Sequence, residues 1–222
     1  ENYQPVVRAE PNTNKTISAN KITPNAMQCE ALNNLLEIRN SGAKRALIIS
    51  ATGTGKTYLG AFDVANYQPK KFLYIVYREQ ILDKTMDSFR QVLSDEPENS
   101  FGKISGTHRD MDAKYTFATI QTLSKQSCLT QLNPDEFDYI LVDEAHRIGG
   151  ETYQRVLDYF QPKFLLGMTA TPERMDDFNL FEMFDHNIAY EIRLQKALDE
   201  KMLCPFHYIG ITDYEKDGVV SD

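Results

Sequence analysis

Short unbroken apolar runs alternate with stretches whose apolar residues recur at helical spacing. Residues 46–49, 72–76, 115–119, 137–142 and 164–168 have the length and the β-branched and aromatic content of buried strands. Residues 102–106, 188–192 and 206–211 are further candidates for strands. Between them, Met27, Ala31, Leu32, Leu35 and Leu36 make one helical face. Leu59, Ala61, Phe62 and Ala65 make a second, and Ile81, Leu82, Thr85, Met86, Phe89 and Leu93 a third. Gln154, Val156, Leu157 and Phe160 belong to a further helix, and residues 194–203 predict a short one. The first helix is expected to start with Thr23 as cap and Pro24 in its first turn, and to stop at Ser41-Gly42. Residues 108–114 read as a polar connection. Strands alternating with helices predict an α/β fold: a doubly wound, mostly parallel sheet with helices on both faces. Such sheets bind ligands at the carboxyl ends of their strands. Residues 1–21 read as a polar linker or tail, 22–211 as the domain, and 212–222 as polar chain leading away from it.

The turn after the first strand carries the clearest chemistry. Residues 50–57 read Ser-Ala-Thr-Gly-Thr-Gly-Lys-Thr and open directly into a helix. A strand, a glycine-rich turn and Lys-Thr at a helix start form a phosphate cradle, or P-loop. Gly53 and Gly55 let backbone approach a phosphate chain. The amides of Thr54, Gly55, Lys56 and Thr57 converge at a helix N-terminus, where the dipole favours anions. Lys56 adds a mobile charge for β- and γ-phosphates, and Thr57 a hydroxyl for Mg²⁺. Ser50 stands where the general pattern has its first glycine, the one departure from it.

Further along, the apolar run 137–142 ends in Asp143-Glu144-Ala145-His146. Two adjacent carboxylates at a strand tip suit Mg²⁺-dependent phosphohydrolysis, Asp143 holding the metal through water and Glu144 polarising the attacking water. Such a pair can also cap the helix that follows. Thr169-Ala170-Thr171-Pro172 ends another strand, where small hydroxyl residues can bond neighbouring carboxylates or form an ordinary turn. Arg78, Thr119 and Gln121 fall at or just past strand ends. Gln28 carries an amide donor and acceptor that match the Hoogsteen edge of adenine, yet by position it reads as a surface residue of the first helix. Asp176, Asp177 and Asp185 read as solvated or capping, and His108, His186 and His207 as structural.

Composition narrows the picture. The chain has 222 residues, 41% of them hydrophobic, and a net charge of −8, so nucleic-acid contact has to come from a local patch. Cys29, Cys128 and Cys204 show neither zinc spacing nor a disulfide framework, which predicts a reducing, cytoplasmic setting. No apolar run has the length of a membrane span. Nothing in the sequence points to an oligomer.

Taken together and in order, these motifs resemble the first RecA-like domain of superfamily 2 helicases, over residues 22–211. More closely they resemble the DEAH-box group related to the motor subunits of type I and type III restriction enzymes. Gln28 is similar to the family's adenine-reading glutamine. Residues 50–57 are similar to its motif I, in which a non-glycine first position is common. Val76-Tyr77-Arg78 resembles motif Ia, and 119–123 the next nucleic-acid-facing motif. Asp143-Glu144-Ala145-His146 matches motif II, and Thr169-Ala170-Thr171 resembles motif III.

The resemblance implies an ATP- and Mg²⁺-dependent helicase or translocase. Gln28, Thr52, Gly53, Thr54, Gly55, Lys56 and Thr57 would hold the nucleotide, and Thr57 and Asp143 the metal. Glu144, Lys56 and Asp143 would be catalytic, and His146, Thr169 and Thr171 would couple nucleotide state to the track. Arg78, Thr119 and Gln121 would lie against the polymer backbone. The likeness to restriction motors implies DNA; a backbone grip fits RNA as well. It further implies a second RecA-like domain that supplies arginine fingers, whose loss costs roughly a thousandfold or more in rate. A single such domain is then expected to bind Mg-ATP but to hydrolyse it slowly if at all. The other readings are a nucleotide-gated binding switch and the motor subunit of a restriction enzyme.

Overall fold

All five residues of Phe72–Val76 and of Tyr115–Thr119 are buried, side chains alternating to both faces. Strands like these are stable only inside a sheet covered on both sides. A computed structural model describes residues 22–172 and 178–192 and shows that sheet. In chain order the elements are α1 (Ala26–Asn40), β1 (Arg45–Ser50), α2 (Lys56–Tyr67), β2 (Phe72–Val76), α3 (Glu79–Val92), β3 (Phe101–Ser105), β4 (His108–Arg109) and β5 (Tyr115–Thr119). Then follow the short α4 (Ile120–Leu123) and α5 (Gln126–Leu129), β6 (Tyr139–Asp143), α6 (Glu151–Tyr159), β7 (Phe164–Thr169), α7 (Leu180–Met183) and β8 (Ile188–Ile192). The sheet is eight-stranded in the order β4-β3-β5-β2-β6-β7-β1-β8, parallel except where β4 turns back on β3. The doubly wound parallel sheet expected from the sequence is therefore present.

Helices α1, α2 and α3 cover one face with Leu35, Leu59 and Phe89, against strand residues such as Ile48, Phe72, Phe117 and Leu141. The opposite face buries Leu123, Leu129, Val156 and Phe184 against Leu47, Ile75 and Val142. Beneath α2 and α3 the core is largely aromatic: Phe72 packs on Phe89 at 5.6 Å and Phe89 on Phe117 at 5.1 Å between ring centroids.

At the lower end of the sheet sits a buried charge. Asp63 of α2, 1% exposed, pairs with Arg39 of α1 and accepts a hydrogen bond from the Tyr139 hydroxyl at the start of β6. The guanidinium lies 4.2 Å above the Phe164 ring and 5.0 Å from Tyr67. One carboxylate thus ties two helices to the foot of β6.

Several details depart from the sequence reading. The cap of α1 is Asn25, not Thr23, because Asn25 and Gln28 close a reciprocal box: Gln28 N donates to Asn25 Oδ1 at 2.9 Å and Asn25 N to Gln28 Oε1 at 3.0 Å. Gln28 is consequently buried, 5% exposed, rather than on the surface. Within the expected polar connection lies β4, hydrogen-bonded along Ile104 and Ser105, with His108 exposed on it. Asp110 continues that edge, its backbone N–H on the Lys103 carbonyl at 3.1 Å and its carboxylate taking the Lys103 N–H at 3.0 Å. Gly102 permits this approach, since a Cβ there would stand 2.5 Å from Ala113 Cβ. On the opposite edge, Asn34 of α1 donates to the Ala189 carbonyl at 2.8 Å. Asp185 is exposed in the turn before β8, and His186 follows it at φ 58°. Asp176, Asp177, His207, and the expected helix 194–203 and strand 206–211 lie outside the described residues.

Asp63→Asn is expected to leave the Arg39 charge buried without its counter-charge and to cost about 3–5 kcal/mol. Urea denaturation followed by far-UV circular dichroism measures it; a loss below about 1 kcal/mol contradicts the assignment of a load to this pair.

Candidate functional site

The strand order brings the motifs together. β7 lies between β6 and β1, with Asp143 level with Met168 and Ile49 level with Thr169. The loop after β1, the carboxylates at the tip of β6 and the threonines after β7 therefore stand side by side at the carboxyl ends of adjacent strands.

The glycine-rich loop has internal support. Ser50, fully buried, shares a hydrogen bond between its hydroxyl and that of Thr54, and Thr54 donates on to the Ala51 carbonyl at 2.7 Å. The serine in the place of a glycine is thus a brace across the loop. Gly53 and Gly55 have φ of 87° and 84°, a region that costs other residues strain. At Gly55 a Cβ would also stand 3.0 Å from Gln28 Nε2. That same Nε2 donates to the Gly55 carbonyl at 3.2 Å, so Gln28 tethers the start of α1 to the loop. Thr52 and Gly53 are exposed, while Gly55, Lys56 and Thr57 are half-buried at the start of α2. The first amides of α2 have no acceptor within the helix. Lys56 folds inward, its Nζ donating to the Ser50 carbonyl at 2.7 Å and the Ala51 carbonyl at 3.2 Å. Burial lowers its pKa, and the carboxylates of Asp143 and Glu144 partly oppose that.

Asp143 is held at both oxygens. The Tyr74 hydroxyl donates to Oδ2 at 2.9 Å and the Glu144 amide to Oδ1 at 2.9 Å. Burial raises its pKa, and the bond from Tyr74 pulls against that rise. Glu144 turns the chain through the left-handed region, φ 53° and ψ 47°, and its carboxylate lies beside His146. Its side chain makes no capping bond to the 3₁₀ turn Ala145–Arg147, so the capping alternative does not hold. His146 Nδ1 lies 3.2 Å from Glu144 Oε2 and 3.1 Å from Thr169 Oγ1. Thr169 Oγ1 also lies 3.1 Å from the Thr171 carbonyl, and the direction of the His146 contact follows the imidazole tautomer. His146 therefore bridges the carboxylate and the threonine turn.

A second group of residues borders a cleft of about 500 Å³ further along the strand tips, lined by Tyr77, Gln121, His146, Arg147 and Tyr153. The Arg147 guanidinium stacks 4.4 Å from the Tyr77 ring centre. Gln121 is exposed on this cleft, and Arg78, next to Tyr77, is exposed outside its lining. Thr119 is not: it is 4% exposed and its hydroxyl donates to Thr122 Oγ1 at 3.1 Å. Its place is behind the surface, at the N-terminus of α4, which presents Gln121. Sequence reasoning missed Tyr74 and Arg147. A tyrosine inside a buried apolar strand was the available signal for the first, since its hydroxyl demands a partner. No comparable signal marked Arg147.

Fold and strand-tip constellation together define a first RecA-like domain of the superfamily 2 helicase kind. The chain belongs to the family described as type III restriction enzyme, res subunit, whose model matches residues 21–174. It is 27% identical over 201 residues to the Escherichia coli type I restriction enzyme EcoAI endonuclease subunit, covering 85% of this chain and 24% of that protein. It is 24% identical over 200 residues to the putative ATP-dependent helicase IRC3 of Saccharomyces cerevisiae, covering 83% of this chain and 28% of that one. Its fold is similar to a nuclease-deletion mutant of the type ISP restriction-modification enzyme LlaGI in complex with a DNA substrate mimic. The TM-score is 0.62 at 19% identity, covering 81% of this chain and 18% of the other. The chain thus spans about a quarter of the length of the curated relatives it matches. Among the described residues, no helix is long and apolar enough to cross a membrane.

Gln28→Leu removes the box with Asn25 and the tether to Gly55 together. It is expected to lower stability by about 1–2 kcal/mol without any nucleotide present, read as a drop in thermal midpoint. A variant as stable as the wild type rules out the structural half of this residue's work.

Proposed function

We propose that the chain is the nucleotide-binding half of a DNA translocase. It binds Mg-ATP at the strand tips and, joined to a second RecA-like domain, couples hydrolysis to movement along DNA. The observation that carries this reading is the meeting of Lys56, Asp143, Glu144 and Thr169, with His146 Nδ1 3.2 Å from Glu144 and 3.1 Å from Thr169.

The residues present fit a nucleotide and its metal. Thr52, Gly53, Thr54 and Gly55 offer backbone to a phosphate chain, and the dipole of α2 adds its positive end. Lys56 would leave the Ser50 and Ala51 carbonyls for β- and γ-phosphate oxygens. The Thr57 hydroxyl and the Asp143 carboxylate would hold Mg²⁺. When bound, the metal neutralises charge developing on the phosphates. Glu144 would orient the attacking water and take its proton. His146, in contact with both Glu144 and Thr169, would carry the state of that carboxylate to Thr171 and the chain beyond it. Gln28 would exchange its contacts with Asn25 and Gly55 for the adenine edge. Arg78 and Gln121 would meet the phosphodiester backbone, with Thr119 supporting the start of α4 from behind.

DNA is favoured over RNA by the restriction-enzyme relatives and by the DNA mimic bound to LlaGI. The same relatives support a restriction motor subunit as the setting of this half-motor. Glu144 argues against a nucleotide-gated switch without turnover, since only hydrolysis requires a water-activating carboxylate. The compartment that fits is the cytoplasm, in keeping with the free thiols of Cys29 and Cys128.

Steady-state ATPase activity of the parent protein, alone and with single-stranded DNA, duplex DNA or RNA, tests the reading. Stimulation of tenfold or more by DNA is expected from an activation that completes the site only on the track; stimulation by RNA alone would reassign the polymer, and tight Mg-ATP binding without turnover would favour the switch. Lys56→Ala is expected to abolish nucleotide-dependent thermal stabilisation. Glu144→Gln should keep that stabilisation yet lose turnover by about a hundredfold or more. Turnover near the wild-type rate in Glu144→Gln would exclude it as the water-activating group.

A further inference from the structure

We propose that Tyr74 is a positioning residue for the metal-binding carboxylate, fixing Asp143 so that it presents one defined edge to Mg²⁺. The inference rests on the nucleotide reading of the site and adds a residue to it.

Tyr74 is fully buried in the middle of β2, level with Leu141 on β6. Asp143 lies two residues beyond Leu141 and so points to the same face of the sheet. The phenol reaches up along that face and meets Oδ2 at 2.9 Å, while the Glu144 amide meets Oδ1 at 2.9 Å. A carboxylate has about four lone-pair positions. Two are spent on the protein, one on each oxygen, and the rest remain for what binds above. With both oxygens pinned, the carboxylate cannot rotate about its last bond without losing a hydrogen bond, and the one lost would leave the fully buried Tyr74 hydroxyl without it. On the far side of the phenol stands Thr85 of α3, 2% exposed, against the Tyr74 oxygen. The Phe89 and Phe117 rings, 5.5 Å and 5.6 Å away, hold the Tyr74 ring itself. The hydroxyl is therefore delivered by a rigid aromatic layer and not by a mobile side chain. Groups that orient a metal ligand in this way typically change metal affinity by about 10–100-fold when removed.

Tyr74→Phe deletes the hydroxyl and keeps the ring. ADP binding to the chain is measured by calorimetry, first in EDTA and then across a Mg²⁺ series. Metal-free ADP affinity is expected to stay at the wild-type value. The Mg²⁺ concentration giving half of the metal-dependent tightening is expected to rise about tenfold. A merely structural hydroxyl would lower the melting temperature and leave that Mg²⁺ midpoint in place, and an unchanged or lower midpoint overturns the proposal. If Tyr74→Phe does not fold, Thr85→Val removes the group behind the phenol and is expected to move the midpoint in the same direction; no movement overturns it. A wild-type chain that binds no ADP at any Mg²⁺ concentration would instead remove the nucleotide reading, and the proposal with it.

Discussion

Parallel pairing of β6, β7 and β1 is the constraint on which the site depends. A parallel ladder lets no strand slide by one residue without turning its side chains to the wrong face. With both faces close-packed, the exchanged side chains would not fit the spaces left for them. Asp143 is thereby held level with Met168, and Ile49 with Thr169. The loop, the carboxylates and the threonine turn, distant in sequence, become neighbours through the register of the strands, and His146 then joins the last two directly. The sheet is in effect a ruler, and the chemistry is written at its end marks.

The opposite end of the ruler is held by the Arg39–Asp63 pair and the Tyr139 hydroxyl. Burying that charge is costly, and an apolar replacement would pack as well on energetic grounds alone. What the arrangement adds is direction. A carboxylate on α2 that needs both a guanidinium from α1 and a phenol from β6 admits one relative placement of the three. Since α2 begins at Lys56, fixing its lower half also fixes where Lys56 stands at the top.

Most of the fold was legible in the sequence because its signals are local. The runs 72–76, 115–119 and 188–192 became strands within those bounds, since an unbroken apolar run bounded by polar residues has little alternative in a covered sheet. Residues 50–57 and 143–146 were equally plain, each being a contiguous motif. What escaped was settled by partners distant along the chain. Gln28 looked like a surface residue because its burial depends on Gly55, 27 positions away. Tyr74 looked like one more apolar residue because its hydroxyl answers Asp143 from another strand. Thr119 sat at a strand end, where exposure is the rule, yet Thr122 turned its hydroxyl inward. β4 was too short for periodicity to announce, and only the neighbouring backbone of β3 makes it a strand.

The edges of the sheet carry a consequence of their own. A long parallel sheet ordinarily ends in a row of free amides and carbonyls, a template onto which another extended chain can add. Here the β3 side is closed twice over, by the two residues of β4 and then by Asp110, whose backbone and carboxylate take both groups of Lys103. On the β8 side Asn34 occupies the Ala189 carbonyl. A stranger's strand would have to evict side chains already bonded, and at Lys103 it would meet a negative charge. A chain with this many apolar strands has reason to aggregate while it folds; once folded, those positions are closed to strand addition.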